Sequence, residues 1–172
     1  MLTFSFIEKS NAAEILPGLF NILYDNMNSI APTGEGYERD FEEWYGNVAP
    51  ALERPQRNII LIREDGARVG FFQYYVNETT FMMEEIQLVK AARGRGIFEA
   101  LYRHLKSIVP PETPFVEAYA HELNLHSQGI LRHLGLEEIG RANRCLHFRG
   151  SMSAMFETLE NSPVPVPEFT VI

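Results

Sequence analysis

Ile86-Gln87-Leu88-Val89-Lys90-Ala91-Ala92-Arg93-Gly94-Arg95-Gly96-Ile97-Phe98 carries, in direct succession, a strand end, a basic turn with two glycines and a helix start. The amides of a helix's first turn have no partners inside the helix and carry the positive end of its dipole, so an anion settles there when no side chain blocks it. Gly94 and Gly96 clear that approach, and Arg93 and Arg95 add positive charge for the same anion. The stretch lacks the Gly-Lys-Ser/Thr ending of a P-loop, which argues against a P-loop NTPase. Taken alone, it fits an ordinary glycine-capped turn as well as an anion site.

Working outward, the residues before this stretch form three β-rich runs, Asn58 to Arg63, Val69 to Val76 and Thr80 to Leu88, separated by Glu64-Asp65-Gly66 and Asn77-Glu78-Thr79. Ahead of them, Leu2 to Ile7 alternates as a first strand. A helix capped by Asn11 places Ile15, Leu16, Leu19, Phe20 and Leu23 on one face, with Pro17 early enough to be tolerated. A turn-rich stretch from Ser29 to Gly36 precedes a second helical pattern through Phe41, Trp44, Tyr45 and Val48. After the central turn, Ile97, Leu101, Leu105 and Ile108 share a helical face that Pro110-Pro111 ends. Phe115 to His121 reads as a fifth strand, Asn124 to Leu134 as a helix closed by Gly135, and Leu136 to Phe148 as two short strands. An amphipathic stretch around Met155 and Leu159 follows, and from about residue 161 the chain is a Pro-rich tail, expected to be flexible. No repeat or linker divides the chain, so residues 1–172 are expected to form one domain.

Two further groups of residues give this order of elements a family. Arg93-Gly94-Arg95-Gly96-Ile97-Phe98 resembles the R/Q-x-x-G-x-G/A pyrophosphate motif of the GNAT superfamily of N-acetyltransferases, and Asn124-Leu125-His126-Ser127 with Leu134-Gly135-Leu136 resembles that family's Asn-x-x-Ala/Ser helix and Leu-Gly-Phe ending. The motif match covers Thr80 to Leu136, and the residues before it agree in element order. The resemblance implies an α/β (α+β) fold with a mixed, mostly antiparallel central sheet of about seven strands and helices on both faces. It implies acetyl-CoA as cosubstrate, with the pantetheine arm between the fourth and fifth strands on backbone near Ile86, Gln87 and Leu88. The pyrophosphate would lie on the turn Arg93, Gly94, Arg95, Gly96, Ile97 and Phe98, with Asn124 and Ser127 on the pantetheine or adenosine side. Asn124 is also a natural helix cap. The sequence departs from the family at Phe98, where the pattern has Gly or Ala, and at Leu131, where many members place a tyrosine acid for the departing thiolate. A thiol with a pKa of about 8.5 leaves tolerably unaided, and a general acid contributes only about 10²–10⁴-fold.

An acetyl acceptor amine must be uncharged to attack, so some group has to take its proton. Alternation in the fourth strand puts Glu84 with Met82, Ile86 and Leu88 on one face and Glu85 on the other, and Glu84 is the first choice of base. In the fifth strand Glu117, Tyr119 and His121 share a face, and Tyr119 or His121 could substitute as proton carrier. Tyr37, Glu42, Trp44 and Tyr45 fall in the region that would border the acceptor, although core packing explains Trp44 equally well.

Composition bounds these readings. A formal charge of −8 over 172 residues opposes a phosphate backbone or an anionic membrane surface, so neither nucleic acid nor membrane is an expected partner. The field suits a cationic acceptor, a primary amine of a small molecule or peptide. The single cysteine, Cys145, sits in an alternating run that reads as buried strand. It allows no intrachain disulfide and no Cys-rich metal site, and it suits the reducing cytoplasm. The N-terminal residues lack the basic start of a secretory signal, and no apolar run reaches membrane-spanning length. A homodimer is compatible with the sequence. Two functions remain in view: acetyl transfer to an amine, or a non-catalytic CoA-binding sensor or partner-binding module on the same fold.

Overall fold

The computed structural model describes residues 1–172; burial alternates along the strands 2–6 and 115–121 and is continuous through the middle of the strands 57–64 and 67–76. In chain order the elements are β1 (Leu2–Phe6), α1 (Ala12–Met27), α2 (Tyr37–Leu52), β2 (Arg57–Glu64), β3 (Ala67–Val76), β4 (Thr80–Leu88), α3 (Ile97–Leu105), β5 (Phe115–His121), α4 (Leu125–His133), β6 (Glu137–Ala142), β7 (Cys145–Ser151), α5 (Met152–Glu160) and β8 (Phe169–Val171). The strands form one mixed, mostly antiparallel sheet in the order β6-β7-β5-β4-β3-β2-β1-β8. Its eighth strand, β8, lies in the Pro-rich C-terminal stretch, where the sequence pattern gave no strand signal. No helix is long and apolar enough to cross a membrane.

The chain divides into two compact units, and β3 and β4 each run from one into the other. The first comprises Met1–Gln73, Glu85–Arg93 and Phe169–Ile172. Its core gathers Leu16, Leu19 and Phe20 of α1, Val48 and Leu52 of α2, Ile59 and Leu61 of β2, and Phe71 of β3. Phe20 is ringed by Tyr24, Tyr37, Phe41 and Trp44, with ring centroids 5.3–5.7 Å away. Packing therefore accounts for Tyr37 and Trp44. At the sheet edge β1 is antiparallel to β2, with Phe4 opposite Ile62, and parallel to β8, with Leu2 opposite Phe169.

One local expectation is corrected in this unit. Asn11 stands at the N-cap of α1 but makes no capping bond; its amide donates instead to Glu8 Oε2 at 3.2 Å, because a short 3-10 turn over Lys9–Asn11 precedes the helix. Pro17, the sixth residue of α1, is tolerated as the sequence suggested: the helix runs on without the hydrogen bond that its ring removes.

The second unit comprises Tyr74–Glu84 and Gly94–Glu168. Here β5 is central, parallel to β4 over Thr80–Met83 against Phe115–Ala118 and antiparallel to β7 along its whole length. Val116, Ala118 and Ala120 of β5 are buried together with Leu146 and Phe148 of β7. The Arg132 guanidinium of α4 lies over the Phe148 ring at 5.2 Å, which identifies this face as the one that α4 covers. The opposite face carries Phe115, Glu117, Tyr119 and His121, and Tyr119 is 52% exposed.

Candidate functional site

The central turn follows from where β4 stops. Its ladder with β5 ends at Met83 and Ala118, while β4 itself continues to Leu88. Val89 then donates to Val69 O, and Lys90–Ala92 make one 3-10 turn fixed by buried Ala92. Arg93 is extended, and Gly94 and Gly96 both take left-handed backbone, with φ of 71° and 72°. Only glycine adopts that geometry without steric cost. Gly96 is the N-cap residue of α3, and its carbonyl accepts the first helical bond from Ala100.

The two glycines have different surroundings. A Cβ at Gly94 would meet no atom within 4 Å. One at Gly96 would stand 2.2 Å from Pro165 O and 3.1 Å from Pro167 Cδ. Gly94 thus leaves the turn open, whereas the space beside Gly96 holds the chain's own C-terminal segment.

Arg93 also differs from its sequence reading as charge held out for an anion. Its guanidinium reaches back to Asn26 Oδ1, and its Nε donates to Leu88 O at 3.3 Å. Asn26 in turn donates to Gln87 Oε1 at 2.7 Å and to Leu88 O at 3.0 Å, and Gln87 donates to Glu85 Oε1 at 2.6 Å. Asn26 and Gln87 are buried, so this network satisfies polar groups that would be costly left alone. Gly70 on β3 admits the Gln87 carbonyl, since a Cβ there would sit 2.3 Å from that oxygen. Ile86 is half-buried, Gln87 and Leu88 are buried, and Arg95 is exposed.

Asn124 accepts from Ser127 N at 3.1 Å and is the side-chain cap of α4. Ile97 is buried in the first turn of α3. Phe98, beside it, lines a cavity of about 390 Å³ together with residues of α4 and the end of α5. Tyr102 lines the same cavity, and burial reinforced by Glu99 raises its hydroxyl pKa, keeping it protonated. Leu131 is buried on α4, and its aliphatic side chain has no proton to give a departing thiolate.

The catalytic candidates fall in the second unit. Met82 is opposite Glu117 in the parallel ladder, so the alternating set that includes Glu84 shares a face with Glu117, Tyr119 and His121. Glu84 is half-buried. His121 closes the bend after β5, its Nδ1 accepting from Leu123 N at 3.2 Å. Tyr119 stacks on His147 of β7, with centroids 4.3 Å apart. His147 Nε2 donates to Glu117 Oε2 at 2.7 Å, and Arg149 stands 3.4 Å from the other oxygen of Glu117 while lying over Phe115 at 3.8 Å. His147 and Asn26 were missed in the sequence. The alternating run Cys145 to Phe148 showed His147 to be a strand residue, but nothing near it identified Glu117 as its partner.

This arrangement has the fold of known acetyltransferases. A PaiA N-acetyltransferase from Thermoplasma acidophilum, solved in complex with coenzyme A, superposes with a TM-score of 0.68 at 9% identity, over 88% of this chain and 99% of that one. The aminoglycoside acetyltransferase AAC(6')-Ib, solved with coenzyme A and kanamycin, matches at a TM-score of 0.63 and 15% identity, over 92% and 99% of the two chains. A GNAT-family acetyltransferase from Listeria monocytogenes matches at 0.58 and 12%, over 88% and 95%. The chain therefore has the GNAT fold, as its motifs implied. No family model matches the chain, and no curated protein matches it in sequence.

Proposed function

We propose that this chain is an N-acetyltransferase that moves an acetyl group from acetyl-CoA to a primary amine of a small molecule or peptide in the cytoplasm. The observation that carries the reading is the turn after β4, where left-handed Gly94 and Gly96 lead the exposed residues 93–95 into the first turn of α3, whose Gly96 and Ile97 are buried. Those amides suit a pyrophosphate in charge and geometry. Ile97 and Phe98 would offer their backbone N–H groups, Arg93 and Arg95 the positive field, and Ile86, Gln87 and Leu88 the strand edge for the pantetheine amides. Asn124 and Ser127, already joined at the start of α4, would border the same molecule.

Acetyl-CoA supplies an acetyl group activated as a thioester. Glu84 is the proposed base, taking the proton of the acceptor ammonium at its carboxylate directly or through a water. Tyr119 and His121 share its face, and His147, oriented by Glu117, is a second proton carrier there. Buried Leu131 leaves the thiolate to depart without a tyrosine acid. That residue, with the C-terminal segment packed beside Gly96, favours one alternative: a CoA-binding sensor or partner-binding module without turnover.

The experiment is a thermal midpoint with and without acetyl-CoA, followed by free-thiol release with a panel of primary amines. Ligand at about 100 times its dissociation constant stabilises a protein by about 2.7 kcal/mol. An upward shift with amine-dependent thiol release supports transfer. A shift without release leaves the CoA-binding sensor, and no shift at millimolar ligand rejects both transfer and CoA sensing and leaves the partner-binding module.

A further inference from the structure

We propose that Tyr119 determines which acceptor this chain takes, and that the acceptor is a primary amine carried on a flat aromatic ring. The inference rests on the acetyl-transfer reading and adds the acceptor class that reading leaves open.

Tyr119 and His147 stand directly opposite each other in the antiparallel ladder of β5 and β7, and their rings stack with centroids 4.3 Å apart and planes 15° from parallel. That separation is close to the spacing of neighbouring strands, about 4.8 Å, so the two rings rise side by side, one from each strand. His147 covers one face of Tyr119, and the other face is turned away from β7, on the side of β4. There the sheet opens. The parallel ladder ends at Met83 opposite Ala118, so the next residues in register are Glu84 and Tyr119, on the same face of the sheet. A flat ring laid on Tyr119 stands in that opening, and an ammonium on a short chain from it comes beside the Glu84 carboxylate.

The ring is also fixed in place. Single exposed aromatic side chains are ordinary on protein surfaces, but Tyr119, 52% exposed, stacks on a histidine that is itself held. His147 Nε2 donates to Glu117 Oε2 at 2.7 Å, and Arg149 stands 3.4 Å from Oε1 while lying 3.8 Å over the Phe115 ring. The Glu117 side chain is only 14% exposed. Taking a carboxylate out of water is costly, and these partners offset that cost without burying Tyr119. The result is a ring whose direction is set before anything binds, which lowers the ordering cost of a stacked ligand. A flat aromatic acceptor uses that surface fully, because offset stacking adds attraction beyond the area it covers, and a saturated one does not.

The test compares free-thiol release from acetyl-CoA with 2-phenylethylamine and with 2-cyclohexylethylamine, which carries the same chain and ammonium on a ring that is not flat. The quantity read is the ratio of kcat/KM for the two amines within one protein, so any change in the chemical step common to both cancels. The unaltered chain should favour 2-phenylethylamine about two- to tenfold, the range of an aromatic pair. Tyr119→Phe keeps the ring and should keep the preference. Tyr119→Leu, at an exposed position that does not threaten folding, should lose it. No preference in the unaltered chain, or an unchanged preference in Tyr119→Leu, would overturn the role of Tyr119 and leave acetyl transfer standing. A protein that binds acetyl-CoA yet releases no thiol with any primary amine would overturn the transfer reading, and the acceptor class with it.

Discussion

Asn26 on α1 holds the end of β4 through a single amide, which donates to Gln87 Oε1 at 2.7 Å and to Leu88 O at 3.0 Å while its own oxygen accepts from Arg93. The side chain thereby fixes both the strand end and the first residue of the turn proposed to bind phosphate.

Asn26→Ala should remove those bonds and leave buried acceptors without that donor, a loss of about 1–3 kcal/mol. We expect a lower thermal midpoint and weaker CoA binding, because Arg93 loses its anchor. Calorimetry on both proteins checks this, and a variant with unchanged midpoint and unchanged CoA affinity would show that the network holds neither strand nor turn.

Gly70→Ala should be harmful although its backbone is ordinary β. The added methyl would start 2.3 Å from Gln87 O, a backbone atom that can retreat only if β4 moves. Overpacking of this kind costs about 1–3 kcal/mol. A midpoint equal to that of the unaltered chain in differential scanning calorimetry would contradict the contact.

Gly94→Ala and Gly96→Ala test the difference between the two glycines. Both impose a left-handed backbone on a residue with a Cβ, at a cost of about 1–2 kcal/mol. Only Gly96→Ala also displaces Pro165 and Pro167. Its loss should be the larger, and hydrogen exchange in β8 should accelerate in Gly96→Ala alone. Equal behaviour of the two variants would place the C-terminal segment away from Gly96.

Glu84→Gln should lower amine-dependent thiol release by about 10²–10⁴-fold while leaving the dissociation constant of acetyl-CoA nearly as it was. Undiminished release would remove Glu84 from the mechanism, and His147→Gln would then be the informative variant.

His104 on α3 is 6% exposed, and burial holds its imidazole below the usual histidine range. The unfolded chain takes up a proton near pH 6.5 and the native protein only at lower pH, so between the two the unfolded state holds more protons. Its contribution to stability is thus complete above about pH 6.5 and declines as pH falls toward the native value. Glu122 and Glu138, held low by hydrogen bonds from Arg144 and Arg141, act only below the ordinary glutamate range of about 4.3, outside this window. Thermal midpoints from pH 7 to 5 should fall for the unaltered chain and fall less for His104→Gln. Parallel curves would assign the acid sensitivity elsewhere.

The strand and helix positions were legible because they are written in short-range patterns. Thr80–Leu88 and Phe115–His121 were bounded by turn residues and proline, and their structural limits agree with that reading. The turn from Arg93 to Phe98 was legible for the same reason, since two glycines between a strand end and a helix start constrain the backbone locally. β8 was not, because three residues after a Pro-rich run carry no period and form a strand only by pairing with β1.

Partners lay beyond the sequence. Alternation assigned Glu117 to a face, but its contact with His147, 30 residues away, depends on the antiparallel register that sets Tyr119 opposite His147. Asn26 and Gln87 are 61 residues apart, and Gly96 meets Pro165 only because the chain returns past α3 on its way to β8. Periodicity and turn chemistry are properties of neighbouring residues, so the sequence by itself determined the elements other than β8, their order and the two-glycine turn. Which polar atoms are satisfied, which glycine stays open and which histidine has a carboxylate were decided by strand pairing and chain closure, which only the tertiary structure contains.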